Sequence, residues 1–148
     1  MFRLSTKGRY GTRLMVALAM QDHGNPVSLR EIAGQEGISE NYLWQVAKPL
    51  RDAGLITSVA GAGGGYNLAA NPGSITLLDV LTALEGDISL VDCQDSRVPC
   101  DRSTACITHT VWQDISDCMA EKLTSISLQS LATQQRTMRE CAAHNYVI

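Results

Sequence analysis

Cys93, Cys100, Cys106 and His109 fall within seventeen residues, spaced Cys-x6-Cys-x5-Cys-x2-His, in a stretch with neither helical nor strand periodicity. Three thiols and one imidazole are soft or borderline donors, a set that suits Zn²⁺ or an iron–sulfur cluster. The intervening residues are polar or turn-forming (Gln94, Asp95, Ser96, Arg97, Pro99, Asp101, Ser103, Thr104), so these thiols are not small hydrophobes on a periodic face. The plainer readings are free thiols or a structural zinc. Zinc sites usually hold two ligands in a Cys-x2–4-Cys knuckle, and this chain has none. His109 alone would be a surface histidine at a helix start; its position three after Cys106 makes it a ligand candidate. Cys118, on an apolar stripe, reads as core, and Cys141 as a tail thiol.

The elements that must position this loop are those of one modest protein. The 148 residues are 45% hydrophobic, enough for one globular domain or one domain with an appended element. No apolar run approaches the ~20 residues of a membrane span, and no leader pattern opens the chain, so the expectation is a cytoplasmic protein without a membrane partner. Five cysteines, two of them outside the loop, fit a reduced compartment better than a disulfide framework. The net charge of -3 hides an asymmetry: residues 1–70 carry seven Lys/Arg against five acids, residues 71–148 five against ten. Four cations and no acid fall in the first thirteen residues. That local basic edge is compatible with phosphate contacts, although the overall balance is far from strongly basic.

Residues 11–21 read as an apolar helix stopped by the turn-forming Asp22-His23-Gly24-Asn25-Pro26. Ser28 with Glu31 forms a capping box for a short helix carrying Leu29 and Ile32, which ends near Gly34–Gly37. Gly37-Ile38-Ser39 is a tight turn, and Ser39 caps a third helix containing Tyr42, Leu43, Val46, Ala47 and Leu50. This is a helix-turn-helix over residues 28–52. Pro49 removes a hydrogen bond from that helix and should kink it or start a new turn. Ile56-Thr57-Ser58-Val59, the glycine-rich tip 61–65 and Tyr66-Asn67-Leu68 then read as a β-hairpin wing. A phosphate-cradling loop would need a strand before it and a helix directly after it, which this context lacks.

A fourth helix is capped by Thr76 with Asp79, buries Leu77, Val80, Leu81 and Leu84, and ends at Gly86. Residues 87–108 show no regular pattern, as expected of a functional or disordered loop, and a metal centre that orders it on binding is the economical account. After His109 a long helix carries a stripe of Val111, Ile115, Cys118, Met119, Lys122, Leu123 and Ile126. An isolated stripe needs a partner, and a second copy of the helix, about residues 109–126, would give a two-fold homodimer. Ser127 caps a short last helix through Leu131, with a frayed polar tail from Gln134. The fold class is therefore mainly α with a small β-hairpin: a winged helix-turn-helix region over 1–70, then the cysteine loop and dimerisation helix over 71–148.

The opening Arg3-Leu4-Ser5-Thr6-Lys7-Gly8-Arg9-Tyr10, the Gly37-Ile38-Ser39…Tyr42-Leu43 turn, the wing Gly61-x-Gly63-Gly64-Gly65-Tyr66 and the Cys-x6-Cys-x5-Cys-x2-His loop running into Trp112 together resemble the IscR-type iron–sulfur regulators of bacteria. The likeness covers residues 2–132, the two regions packed as one family domain. It implies a dimeric winged-helix transcription regulator, repressor or activator, that senses cluster, iron or redox status and controls iron–sulfur biogenesis or stress genes. It also implies a [2Fe-2S] cluster on Cys93, Cys100, Cys106 and His109, with zinc as the alternative.

In such a protein the third helix would enter the major groove of double-stranded DNA with Ser39, Glu40, Asn41, Tyr42 and Gln45 near base edges or phosphates, and two copies would read half-sites about one turn (~34 Å) apart. Lys7 and Arg9 would contact phosphate; Ser28, Trp44, Lys48, Arg51, Gly63 and Gly64 complete the candidate contact set. Two residues depart from the family pattern. Ala60 stands where close relatives carry an arginine able to enter the minor groove, and Trp44 stands where IscR itself has a glutamate. An indole cannot accept from a cytosine amine, so the IscR operator does not carry over. Outside the cysteine loop there is no Cys–His nucleophile pair, and no paired carboxylates occur in a recognisable motif, so an enzyme is not expected. The competing class is a zinc- or redox-responsive protein that uses the winged helix for protein contacts.

Overall fold

A computed structural model of the chain describes residues 3–21, 25–94 and 100–144. Among these residues six helices and one hairpin follow in the order α1 (Thr6–Ala19), α2 (Leu29–Glu36), α3 (Glu40–Asp52), β1 (Ile56–Val59), β2 (Gly65–Leu68), α4 (Leu77–Glu85), α5 (Ile107–Thr124) and α6 (Leu128–His144). The described residues between α4 and α5 include the 3-10 turns Asp92–Gln94 and Ser103–Ala105. The architecture is the winged helix-turn-helix read from the sequence.

The helix starts obey local chemistry. Ser28 and Glu31 form a reciprocal capping box at α2, and Thr76 and Asp79 form another at α4. Ser39 Oγ accepts from the Tyr42 N–H at the head of α3. Between α2 and α3 the chain turns on Gly37, whose φ of 62° is left-handed backbone that a side chain resists. α3 runs to Asp52 as one helix with Pro49 inside it, so the proline does not divide it in two. Leu43, Val46, Ala47 and Leu50 form its buried face.

Helix α1 begins at Thr6, not near Gly11, because Ser5 caps it by accepting from the Gly8 N–H. Lys7, Arg9 and Arg13 of the basic opening segment thus lie in a helix, with Arg3 before it. Two glycines there allow α4 to come close: a Cβ on Gly11 would lie 2.2 Å from Leu84 Cδ1, and one on Gly8 would lie 2.4 Å from Glu85 Oε1. Glu85 Oε1 also accepts from the Gly8 N–H at 2.9 Å and from the Ser5 hydroxyl.

The hairpin pairs Ile56 with Leu68 and Val59 with Gly65 in antiparallel register. Its second strand is held on the other side too. Tyr66 N–H donates to Val27 O at 2.8 Å and Val27 N–H donates to Tyr66 O at 3.0 Å. Gly65 is required at this crossing, since a Cβ would lie 2.4 Å from the Val27 backbone.

One core joins the two halves of the chain: Leu14, Met15, Ile32, Leu43, Val46, Leu50 and Ile56 share it with Val80, Leu84, Leu128 and Ala132. The last two correct the expectation of a short final helix ending at Leu131. α6 continues to His144 because its inner face packs on α1, and because Arg136 donates to Met20 O at 3.0 Å and Arg139 to Glu36 Oε1 at 2.9 Å. The sequence shows a polar tail; the structure supplies its partners. The turn expected at 22–26 lies in part, at 22–24, outside the described residues.

Candidate nucleic-acid interface and cysteine loop

On α3 the residues between the buried positions form a solvent-facing stripe: Glu40, Asn41, Trp44, Gln45, Lys48 and Arg51 are all exposed. The spacing of three and four puts these side chains on one side of the helix, so the pattern that buries Leu43, Val46 and Leu50 also creates the outer face. Trp44 is 53% exposed, and its ring meets the buried Tyr66 of β2 edge to face, with centroids 6.1 Å apart. This contact joins the outer face of α3 to the second strand of the wing.

The remaining predicted residues divide by role. Tyr42 is half-buried and packs edge to face on Tyr10 at 5.5 Å, while the guanidinium groups of Arg9 and Arg13 lie 4.8 and 5.7 Å from the Tyr10 ring centre. The sequence pattern assigns Tyr10 no role, yet it fixes α3 against the basic end of α1. Arg9 is exposed and Lys7 half-exposed in the first turns of α1. Arg13, the fourth cation of the basic segment, is committed to Glu36. Ser28 is occupied as a cap, its hydroxyl donating to Glu31 Oε2 at 2.9 Å. In the wing, Gly64 N–H donates to Gly61 O, and a Cβ on Gly64 would lie 2.2 Å from Val59 O. Gly64 therefore serves the tight turn, whereas Gly63 stands open at the tip.

The four predicted ligands are all described. Cys93 lies in the first 3-10 turn, Cys100 precedes the second, Cys106 occupies the position just before α5 without a side-chain bond to the helix start, and His109 is in the first turn of α5. The three cysteines carry free, partly exposed thiols. Among the described residues no three Cys, His, Asp or Glu side chains converge on one point. Residues 95–99, which link Cys93 to Cys100, lie outside them. The Cys106 thiol is drawn below its ordinary range by the Thr108 hydroxyl, 3.1 Å from Sγ, and by the backbone N–H of His109. Its thiolate, the form that binds metal, is thereby favoured.

Sequence reasoning missed how this loop is anchored. Gln94 Oε1 accepts from the N–H groups of Leu90 and Val91, and its Nε2 donates to Ser116 Oγ at 3.1 Å. Ser116 is the buried residue of α5, so Gln94 ties the turn holding Cys93 to the helix that carries His109. A small hydroxyl within an otherwise amphipathic helix was the available signal. The same packing corrects the place of Cys118. His109, Ser116, Met119, Ala120 and Leu123 are the residues of α5 that its own chain covers, wholly or in part, while Val111, Ile115 and Cys118 are exposed. Cys118 is not core. α5 itself begins at Ile107, two residues before His109.

Comparison with known proteins bears on this arrangement. The sequence profile of the Rrf2 family, described as "Iron-dependent Transcriptional regulator", matches residues 4–134. The chain is 38% identical to the HTH-type transcriptional regulator IscR of Vibrio parahaemolyticus over 136 residues, covering 92% of this chain and 80% of that one. It is similar in structure to CymR, the global cysteine regulator of B. subtilis, with a TM-score of 0.74 at 41% identity, covering 90% of this chain and 98% of that one. IscR of T. potens superposes with a TM-score of 0.74 at 37% identity, covering 90% and 88%. These relatives are regulators rather than enzymes. Among the described residues no helix is long and apolar enough to cross a membrane.

Proposed function

The chain belongs to the Rrf2 family of transcriptional regulators, and from that premise we propose that it binds operator DNA in a manner set by a [2Fe-2S] cluster on Cys93, Cys100, Cys106 and His109. The observation that carries this reading is the joining, in one small fold, of an exposed, capped α3 beside a wing to a loop of three available thiols and an imidazole. The donor set fits the group, since three thiolates and one neutral imidazole satisfy a two-iron centre while leaving one iron with a nitrogen ligand. When bound, such a group supplies sensitivity to oxidants and to iron supply. Residues of the chain then do the rest. Gln94 and Ser116 hold the loop to α5, α5 packs on α4, and α4 meets α1 and α3, so a change in the loop has a contiguous packed route to the DNA face.

On DNA, α3 lies in the major groove with Ser39, Glu40, Asn41, Tyr42, Trp44 and Gln45 toward bases or the adjoining backbone, and Lys48, Arg51, Lys7 and Arg9 toward phosphates. Ser28 and the wing glycines Gly63 and Gly64 approach the backbone. Two copies join through α5, whose Ile107, Val111, Trp112 and Ile115 are 77%, 45%, 40% and 40% exposed, an apolar run that calls for a partner surface. The 1–70 region reads the DNA and the 71–148 region senses and dimerises, both sharing one core.

The test is the visible spectrum and iron content of anaerobically purified protein. A red-brown protein with two irons per monomer, lost in Cys93→Ala, Cys100→Ala or Cys106→Ala and weakened in His109→Ala, supports the cluster. Colourless protein with one zinc supports the zinc alternative. A second reading, response through a thiol with no metal, is favoured by the likeness to a cysteine regulator and by the Thr108 hydroxyl 3.1 Å from the Cys106 sulfur, which lowers that thiol's pKa. Metal-free protein whose DNA affinity changes on oxidation, and does not in Cys106→Ser, would establish it.

A further inference from the structure

Trp44 is neither packed in the core nor free to wander. More than half of its surface meets solvent, although tryptophan is a residue that folding normally hides. One edge is fixed by Tyr66, which is itself 6% exposed and pinned to Val27 through both of its backbone groups. The ring planes meet at 76°, leaving the remainder of the indole outward on the same stripe as Asn41, Gln45 and Lys48. A rigid apolar plate is thus presented where a base edge would arrive.

The chemistry of the indole restricts which edge it can read. It has one N–H donor, no acceptor and a broad apolar surface. Cytosine offers an amine donor in the major groove, against which a donor gains nothing. Guanine and adenine offer acceptors but no apolar group, whereas thymine sets an O4 acceptor beside a C5-methyl. We infer that Trp44 is a specificity-determining residue that selects thymine through that methyl group, at one base pair of each half-site. Tyr66 acts as its positioning residue. The inference rests on the operator-binding reading above and names a base that reading leaves open.

The decisive experiment changes the DNA first. A duplex selected from a random pool by the wild-type protein, in the state that binds best, is remade with each thymine in turn replaced by deoxyuridine, which removes only the methyl. One thymine per half-site should weaken wild-type binding about fourfold when replaced, the value of one buried methyl group. Trp44→Ala should bind the two duplexes equally, and Trp44→Phe should keep the difference. Trp44→Glu should move the preference at that position toward cytosine. If no thymine shows the effect, or if it persists unchanged in Trp44→Ala, the thymine assignment is overturned while selection of a preferred duplex leaves the regulator reading standing. If neither cluster-loaded nor metal-free protein selects any duplex, both fall together.

Discussion

Arg139, near the end of the last helix, places its NH2 nitrogen 2.9 Å from Glu36 Oε1 at the end of α2, across 103 residues of chain. Glu36 Oε2 receives Arg13 from the other side at 2.9 Å. One carboxylate therefore joins α1, α2 and α6. The two arginines are more than 40% exposed while the carboxylate is 13% exposed, so the pairs are partly screened and each contributes little beyond a surface bridge. Glu36→Ala should destabilise the fold by about 1 kcal/mol, and the deficit should shrink at high salt. Urea midpoints of wild type and variant at low and high ionic strength check this; a salt-independent deficit would show that packing, not charge, is responsible.

Two helical glycines should respond with opposite sign. Gly11→Ala gains helix propensity of about 1 kcal/mol, but its Cβ would meet Leu84 Cδ1 at 2.2 Å and Val46 Cγ1 at 3.0 Å. Overpacking of that kind costs about 1–3 kcal/mol, so net destabilisation of about 1 kcal/mol is expected. Gly34→Ala in α2 meets nothing within 4 Å and should stabilise by about 0.5–1 kcal/mol. Thermal unfolding of the two single variants gives the comparison directly.

Acid should weaken the helix-turn-helix through Glu31. Its carboxylate accepts from the Ser28 backbone N–H at 3.0 Å and from the Ser28 hydroxyl, which hold its pKa below the ordinary value, the backbone bond first. A carboxylate depressed in the folded state adds stability that is present above the unfolded pKa and disappears as pH falls through the folded one. Glu31→Gln should therefore flatten the acid side of the stability profile below about pH 4.3, the ordinary glutamate pKa. Parallel acid limbs for the two proteins would remove the capping carboxylate from the account.

At the wing, Ala60 is exposed just before the tip. Ala60→Arg should raise affinity selectively for sites flanked by A/T-rich sequence, whose narrow minor groove attracts an inserted arginine. Titrations on paired duplexes with A/T-rich and G/C-rich flanks measure it, and equal gains on both would assign the effect to phosphate attraction alone.

The features legible in the sequence are those with local causes. Ser28 with Glu31, Thr76 with Asp79, Ser39 before Tyr42 and the glycines at 37 and 86 announce their elements within four residues. What escaped depends on partners far along the chain. Gly8 and Gly11 look like poor helix residues until α4 lies against them, and the polar run after Gln134 looks frayed until Arg136 and Arg139 find α1 and α2. Cys118 shares a helical stripe with Met119 and Leu123, but α5 is rotated so that Ser116 faces inward. Among the ligand candidates, spacing picked out the residues, and the structure adds the Thr108 hydroxyl beside the Cys106 sulfur, which lowers that thiol's pKa. Of the Gln94 to Ser116 bond only the hydroxyl on α5 left a trace in the sequence, because a glutamine carries no periodic signal.

The bond from Arg136 to the end of α1 also sets an order of events at the ribosome. Leu128 and Ala132 are completely buried in the core that α1 completes, and Arg136 reaches Ala19 O across 117 residues. At synthesis rates of roughly 5–20 residues per second, the interval between these two points is on the order of 10 s. Throughout it α1 emerges with part of its apolar face uncovered, since its late partners have not been made. The N-terminal half, although encoded first, is therefore finished last, and nascent chains halted before residue 128 should be captured by chaperones and degraded by proteases.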